Sequence, residues 1–266
     1  MLGWFAYLWF TPIPAPYQYQ LISEGDSKKF PQMDLDAWPD LKLSQYKVQA
    51  EGIDKPIAEL IVAQQGDGPR VLTYWKNSTN EILYNLDRKP SELSALAAVI
   101  GKHAPKDALI LSWWDTSRQI KLLTGHDTLF TSHLNEPLMV PVAWLEQSKA
   151  IMAYENQFWE SSANSKEQEQ FKRFSQALAA SAEEGVAQLR ELIGSNREAY
   201  LIVHVTDLYK LGLMYPDKIG VAYQNFPLTG NMHGMINHMK VQLKENDFNT
   251  YTLQSLSDEE IRVFFL

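Results

Sequence analysis

Pro105-Lys-Asp-Ala-Leu-Ile-Leu-Ser-Trp-Trp-Asp-Thr-Ser-Arg-Gln-Ile-Lys-Leu-Leu-Thr-Gly-His-Asp-Thr-Leu-Phe-Thr131 reads as strand, turn, helix, turn, strand. Ala108 to Trp113 is a short apolar run of the length of a buried strand. Asp115 or Thr116 is a good N-cap for the segment that follows. Ile120, Leu122 and Leu123 give that segment an apolar side, Gly125 is placed to end it, and Thr128 to Thr131 reads as extended. Such a strand–helix–strand unit predicts an α/β fold. Side chains at the end of a parallel strand commonly face a ligand crevice, which makes Trp113, Trp114 and Asp115 the first candidate site.

From this stretch outward, helical and extended patterns alternate. Upstream, Ser91 caps a predicted helix to Lys102, with Leu93, Leu96, Ala97 and Ile100 on one face. Before it, Tyr46–Ala50, Ile57–Gln64, Val71–Trp75 and Ile82–Leu86 predict an antiparallel meander, with turns at Gly66-Asp67-Gly68-Pro69 and at Lys76 to Asn80. Asn77-Ser78-Thr79 fits a eukaryotic glycosylation sequon, a match common by chance. Residues 17–45 are polar and turn-rich and read as irregular. Downstream, helices are expected over Val142–Trp159, Ser165–Ile193 and Met232–Lys244. Strands are expected at Ala199–Val205, Ile219–Phe226, Tyr251–Leu253 and Ile261–Phe265. Ala199–Val205 is apolar almost throughout, as in a strand covered on both faces, and His204 within it reads as a core histidine. The expected fold is therefore α/β, a mixed sheet covered by helices with an N-terminal β-rich meander. The expected organisation is a single α/β domain over 17–266, with a candidate subdomain seam near residue 90.

Residues 1–16 stand apart. Met1 to Ile13 is almost wholly apolar but shorter than the roughly 20 residues that span a bilayer. It lacks a basic n-region and a small-residue cleavage site. Trp4, Phe5, Tyr7, Trp9 and Phe10 resemble an interfacial aromatic belt. Two readings compete: the trimmed end of a membrane anchor, and an arm or first strand packing on the domain.

Composition excludes several functions. A net charge of −8 over 266 residues argues against broad nucleic-acid binding and against simple adsorption to anionic lipid. The absence of cysteine excludes disulfides, thiolate zinc sites, iron–sulfur clusters, Cys-x-x-Cys-His haem attachment and cysteine nucleophiles. No phosphate loop, dinucleotide fingerprint, Gly-x-Ser-x-Gly elbow or His-Glu-x-x-His is present, so no catalytic residue is assigned. Eight tryptophans and twelve tyrosines fit an aromatic core or a surface that meets another apolar body.

Three sets of residues carry chemistry. Trp113 and Trp114 would make a stacking wall, with Asp115 holding a cation or accepting a hydrogen bond; alternatively one indole is core and Asp115 is a cap. Arg118, one turn on, is placed for a local ion pair with Asp115, and Asp207 follows the Ala199–Val205 run as a second carboxylate at a strand end. His126, Asp127 and His133 form a loose His/Asp set without metal-ligand spacing. Met235, His238 and Met239 offer the thioether and imidazole set that suits copper(I), or else a methionine-rich core stripe.

The segment His103-Ala-Pro-Lys-Asp-Ala-Leu-Ile-Leu-Ser-Trp-Trp-Asp115, with its short helix ending at Gly125, resembles the Trp-Trp-Asp region of oligosaccharyltransferase catalytic subunits. That resemblance implies recognition of a peptide or sugar, but Thr116-Ser117 replaces the family's Tyr-Gly. From the Trp-Trp-Asp-Thr segment to Val263-Phe-Phe-Leu266 the chain is similar to the HaoB-type hydroxylamine-oxidation proteins of ammonia- and methane-oxidising bacteria. This second resemblance implies an accessory protein on the periplasmic side of the bacterial inner membrane, anchored through its N-terminus. Its partners would be a multihaem hydroxylamine dehydrogenase or its cytochromes. The rivals are a glycosyltransferase-related recognition domain and a copper-handling protein.

Overall fold

A computed structural model describes residues 14–78, 90–136, 138, 140–161, 165–194, 197–228, 231–255 and 259–266. The expected strand at 82–86 and the apolar stretch 1–13 lie outside these residues. Packing divides the chain into two units, residues 1–110 with 114–168, and residues 111–113 with 169–266.

The first unit is built on a four-stranded antiparallel sheet of sequential strands, β1 (Tyr17–Gly25), β2 (Leu41–Ala50), β3 (Ala58–Gln65) and β4 (Val71–Asn77). β2, β3 and β4 supply three strands of the expected antiparallel meander. The first strand of the sheet, however, lies in the stretch read as irregular. β1 is an edge strand, and Ile22 bulges out of register between Leu21 and Ser23. An edge strand with one wet face shows only a weak apolar alternation, which Tyr17-Gln-Tyr-Gln does not announce. A second irregularity between Ile61 and Val62 leaves Thr73 without an opposite residue, and its hydroxyl donates to the Ile61 carbonyl at 3.0 Å.

Each face of this sheet carries its own core. Leu41, Leu43, Ile61 and Ala63 pack with Leu93, Ala97 and Leu123 from helices α1 (Pro90–His103) and α2 (Trp114–Thr124). Val48, Ala58, Leu60 and Val62 face Trp159, with Tyr17, Tyr19, Tyr46 and Phe158 around it. Phe158 ends helix α3 (Ser148–Phe158), which a 3-10 turn, Val142–Gln147, leads into. α2 begins at Trp114, one residue before the expected cap, and stops as expected at Gly125, whose φ of +72° favours glycine. Leu109 and Ile110, of strand β5 (Leu109–Leu111), pair in parallel with Asp127 and Thr128 of β6. Mixed pairing and helix-covered sheets make this an α/β protein.

The long helix expected over Ser165–Ile193 is two helices, α4 (Ser165–Leu178) and α5 (Ala182–Ile193). Ser181 caps α5, its side chain accepting the Glu184 N–H, and the chain turns back so tightly that a Cβ on Gly185 would lie 2.5 Å from the Ala177 carbonyl oxygen. Only glycine fits there. In the same unit the apolar run at Ala199 gives just three residues of strand, β7 (Ala199–Leu201). Helix α6 (Val205–Met214) then starts inside the stretch read as strand, because His204 caps it. The His204 side chain accepts the Thr206 N–H, and Asp207 accepts the His204 N–H at 2.9 Å. His204 is therefore a helix cap and not the core histidine of a strand. Asp207→Ala is expected to lower stability by about 1 kcal/mol, the usual worth of a cap. Denaturant titration checks this, and an unchanged midpoint would mean that the reciprocal cap contributes nothing.

The unit closes with an antiparallel sheet ordered β8 (Ala222–Pro227), β10 (Glu260–Phe265), β9 (Tyr251–Ser255). Ile261, Val263 and Phe265 of the central strand pack with Met239 of helix α7 (Met232–Glu245). Phe264 alternates to the other side, where its ring lies 4.8 Å from that of Tyr209.

Candidate functional site

Trp113 and Trp114 are adjacent in sequence but belong to different units. Trp113 is 1% exposed, meets the Phe171 ring edge-on at 4.9 Å, and carries the Lys210 ammonium over its face at 5.0 Å. The same Lys210 is 3.3 Å from Asp207, so in the second unit Trp113 and Asp207 share one cation. Leu111, two residues before, accepts the Ile202 N–H at 2.8 Å.

Trp114, Asp115 and Arg118 belong to the first unit. The Trp114 indole N–H donates to the Glu136 carbonyl, and its ring stands at 71° to His133, 4.6 Å away. Asp115, in the first turn of α2, accepts the Thr116 N–H on Oδ1 at 2.6 Å. Arg118 is buried on the inner side of that helix. Its guanidinium bonds His133 Nδ1 at 3.0 Å and the Arg70 carbonyl at 2.6 Å. Burial lowers its pKa to about 10, against the opposing pull of Asp115 and Glu167. Gln119 beside it donates to the Leu72 carbonyl at 2.7 Å, so two polar residues of α2 satisfy the start of β4.

His133 is the hub of this unit. Arg118 occupies Nδ1, which leaves Nε2 to carry the proton. Its ring stacks on Trp159 at 4.5 Å and 12°. Burial first, then Arg118, push the imidazolium down from 6.5 to about 3, while Asn135 and Asp115 pull weakly the other way. The unfolded chain therefore takes up a proton that the folded protein refuses. The contribution of neutral His133 is intact above pH 6.5 and is lost as pH falls from there towards 3, by up to about 1.4 kcal/mol per pH unit. His133→Gln is expected to flatten the dependence of stability on pH across that window. Denaturation midpoints over the window test this, and equal slopes for both proteins would show that the ring is reached by water.

Beyond Trp159 lies a centre that the sequence reading did not find. Glu155, buried on α3, accepts hydrogen bonds from the Tyr17 and Tyr19 hydroxyls on Oε1, the latter at 2.7 Å, and from the Trp159 indole N–H on Oε2 at 2.8 Å. Tyr154 accepts the Tyr19 N–H at 2.7 Å. Burial, with the Glu155 charge second, holds both tyrosine hydroxyls well above their ordinary pKa. Two signals for this centre exist in the chain: Tyr-x-Tyr, which puts both rings on one face of a strand, and Glu155–Trp159, one helical turn apart.

The His126, Asp127 and His133 set does not gather into a metal site. Asp127 is exposed and 3.8 Å from Lys121, whereas His126 is buried near the Ala104 carbonyl. Met239 is sunk in the core of the second unit; His238 is exposed, with its ring edge-on to Phe226. Among the described residues no three His, Asp or Glu side chains come together to hold a metal ion.

Fold and site together define an α/β protein whose central carboxylate, guanidinium and imidazole are bound to one another or to neighbouring aromatic donors. The chain belongs to the HaoB family: the family model for HaoA-associated protein HaoB matches residues 1–266. That membership makes it an accessory protein associated with HaoA, the hydroxylamine oxidoreductase, in nitrification. No curated protein and no solved structure matches the chain.

Proposed function

We propose that this chain is a membrane-tethered protein on the periplasmic side of the bacterial inner membrane that docks with HaoA or its cytochromes and assists hydroxylamine oxidation. The whole-length family match carries the reading. Sequence chemistry supports the tether. The aromatic, apolar run Met1–Ile13 suits a lipid interface. It leads directly to β1, where Tyr17 packs against Trp144, on a turn that leaves Val142 and Leu145 exposed. Among the described residues no helix is long and apolar enough to cross a membrane. With a net charge of −8, attachment would rest on apolar insertion and not on attraction to anionic lipid.

The test is affinity capture of the tagged, full-length protein from membranes of an ammonia- or methane-oxidising host, with mass spectrometry and metal analysis of the eluate. Recovery of the multihaem dehydrogenase or its cytochromes from the membrane fraction is the expected result. Recovery of glycoproteins or lipid-linked sugar, with HaoA absent, would replace this reading by one of glycosyl recognition at Trp114 and Asp115. Stoichiometric copper without HaoA would replace it by metal handling.

A further inference from the structure

The centre around Glu155 joins three oxidisable side chains to one acid. The hydrogen that Tyr17, Tyr19 and Trp159 each donate to Glu155 is the one that each ring gives up on one-electron oxidation. The rings also form a continuous path through the first unit. Trp144 lies 5.7 Å from Tyr17, Tyr17 lies 5.8 Å from Tyr19, and Tyr19 lies 6.3 Å from Trp159. Trp159 continues it to His133 at 4.5 Å and so to Trp114 at 4.6 Å. At the other end Trp144 is half-buried, next to Val142, which is 85% exposed.

We propose that Tyr17, Tyr19 and Glu155 form a proton-coupled one-electron relay that an external high-potential oxidant, a ferryl haem or an inorganic radical, reaches through Trp144. One electron leaves a tyrosine for the oxidant, which is reduced by one electron. The phenolic O–H bond breaks, its proton forms an O–H bond on Glu155, and a neutral tyrosyl radical remains. The buried cluster passes from a net charge of −1 to zero. That change is favourable where the surroundings solvate charge poorly, because the burial cost of the carboxylate is relieved. Loss of the proton alone is disfavoured, since burial works against the phenolate, and loss of the electron alone would leave a phenol radical cation in the same poorly solvating site; the favoured route moves electron and proton together. A purely structural role is met more cheaply by apolar rings and an apolar side chain in place of Glu155, with no charge to bury. The relay does not depend on association with HaoA, and the two readings fail separately.

The experiment uses the full-length protein and tris(bipyridine)ruthenium(III), photogenerated with persulfate, followed by freeze-quenching and electron paramagnetic resonance. The wild type is expected to give a tyrosyl signal that falls to the level of the remaining tyrosines in the Tyr17→Phe/Tyr19→Phe variant. Glu155→Gln, with its fold checked by near-ultraviolet circular dichroism, is expected to lose most of that signal at neutral pH. Where Glu155→Gln does not fold, the rate of oxidation of the wild type in deuterium oxide replaces it, and a slower rate than in water is expected. Equal signals from the wild type and the double phenylalanine variant would overturn the proposal. So would an unchanged signal in folded Glu155→Gln, or equal rates in the two waters.

Discussion

Trp113→Ala is expected to lower the stability of the second unit by about 3–5 kcal/mol, the range for emptying a fully buried large aromatic site. The indole is almost wholly enclosed, packed on Phe171, and roofed by the Lys210 ammonium. Removing it opens a cavity and also strips Lys210 of its aromatic partner, while Asp207 keeps its ion pair. Trp113→Phe keeps most of the ring and is expected to cost well under half as much. Guanidinium unfolding read by circular dichroism separates the two. A Trp113→Ala protein as stable as the wild type would mean that this indole packs on nothing in the fold and is free to meet a ligand.

Glu155→Ala is expected to have a comparable effect in the first unit, about 3–5 kcal/mol, by a different route. It leaves two phenols and an indole donating to nothing inside a packed aromatic cluster, and each buried orphaned donor costs about 1–3 kcal/mol. The tyrosines reach some solvent, which keeps the total below the sum for three fully buried groups. Adding Tyr17→Phe and Tyr19→Phe to Glu155→Ala is expected to restore part of the loss, because the donors go together with their acceptor. A triple variant no more stable than Glu155→Ala alone would show that the loss is cavity formation and not unmet hydrogen bonds. Thermal and denaturant unfolding of the four proteins closes the cycle.

Local signals were readable in the chain and non-local ones were not. Gly125 announced the end of α2, and Gly66-Asp67-Gly68 announced a turn of the meander, because each sits where the backbone must reverse. Strand β1 gave little signal, since half of an edge strand is wet and Ile22 breaks its alternation. Leu201, Val203 and Val205 read as one buried strand, yet the three are substantially exposed and the helix starts among them. The capping box that moves this boundary uses histidine where serine or threonine usually signals it. Of the candidate site, the chemistry at Asp115 and Arg118 was legible as a helix start with a cation one turn on. Arg118 turned out to be engaged with His133 and the Arg70 carbonyl, groups 15 and 48 residues away in the chain. The Glu155 centre lay further out of reach. Its phenols are 136 and 138 residues from the acid, a pairing that only the packing of α3 on the sheet creates.

The detour of Leu111–Trp113 into the second unit has a consequence for how the chain is made. These three residues leave the ribosome well before Glu169–Leu266, the segment they pack with. At roughly 5–20 residues per second, synthesis of that segment takes on the order of 5–20 s. During this interval the first unit has all of its own chain, while Leu111 and Trp113 lack the second-unit residues they meet in the finished protein, Ile202, Phe171 and Lys210. The nascent chain thus carries apolar side chains without their final packing, which invites either chaperone capture or association between neighbouring nascent chains. The same holds for any fragment ending near Gln168: such a piece would keep the sheet and the Glu155 centre but deprive Trp113 of Phe171 and Lys210, and its solubility would report on that loss and not on the soundness of the sheet.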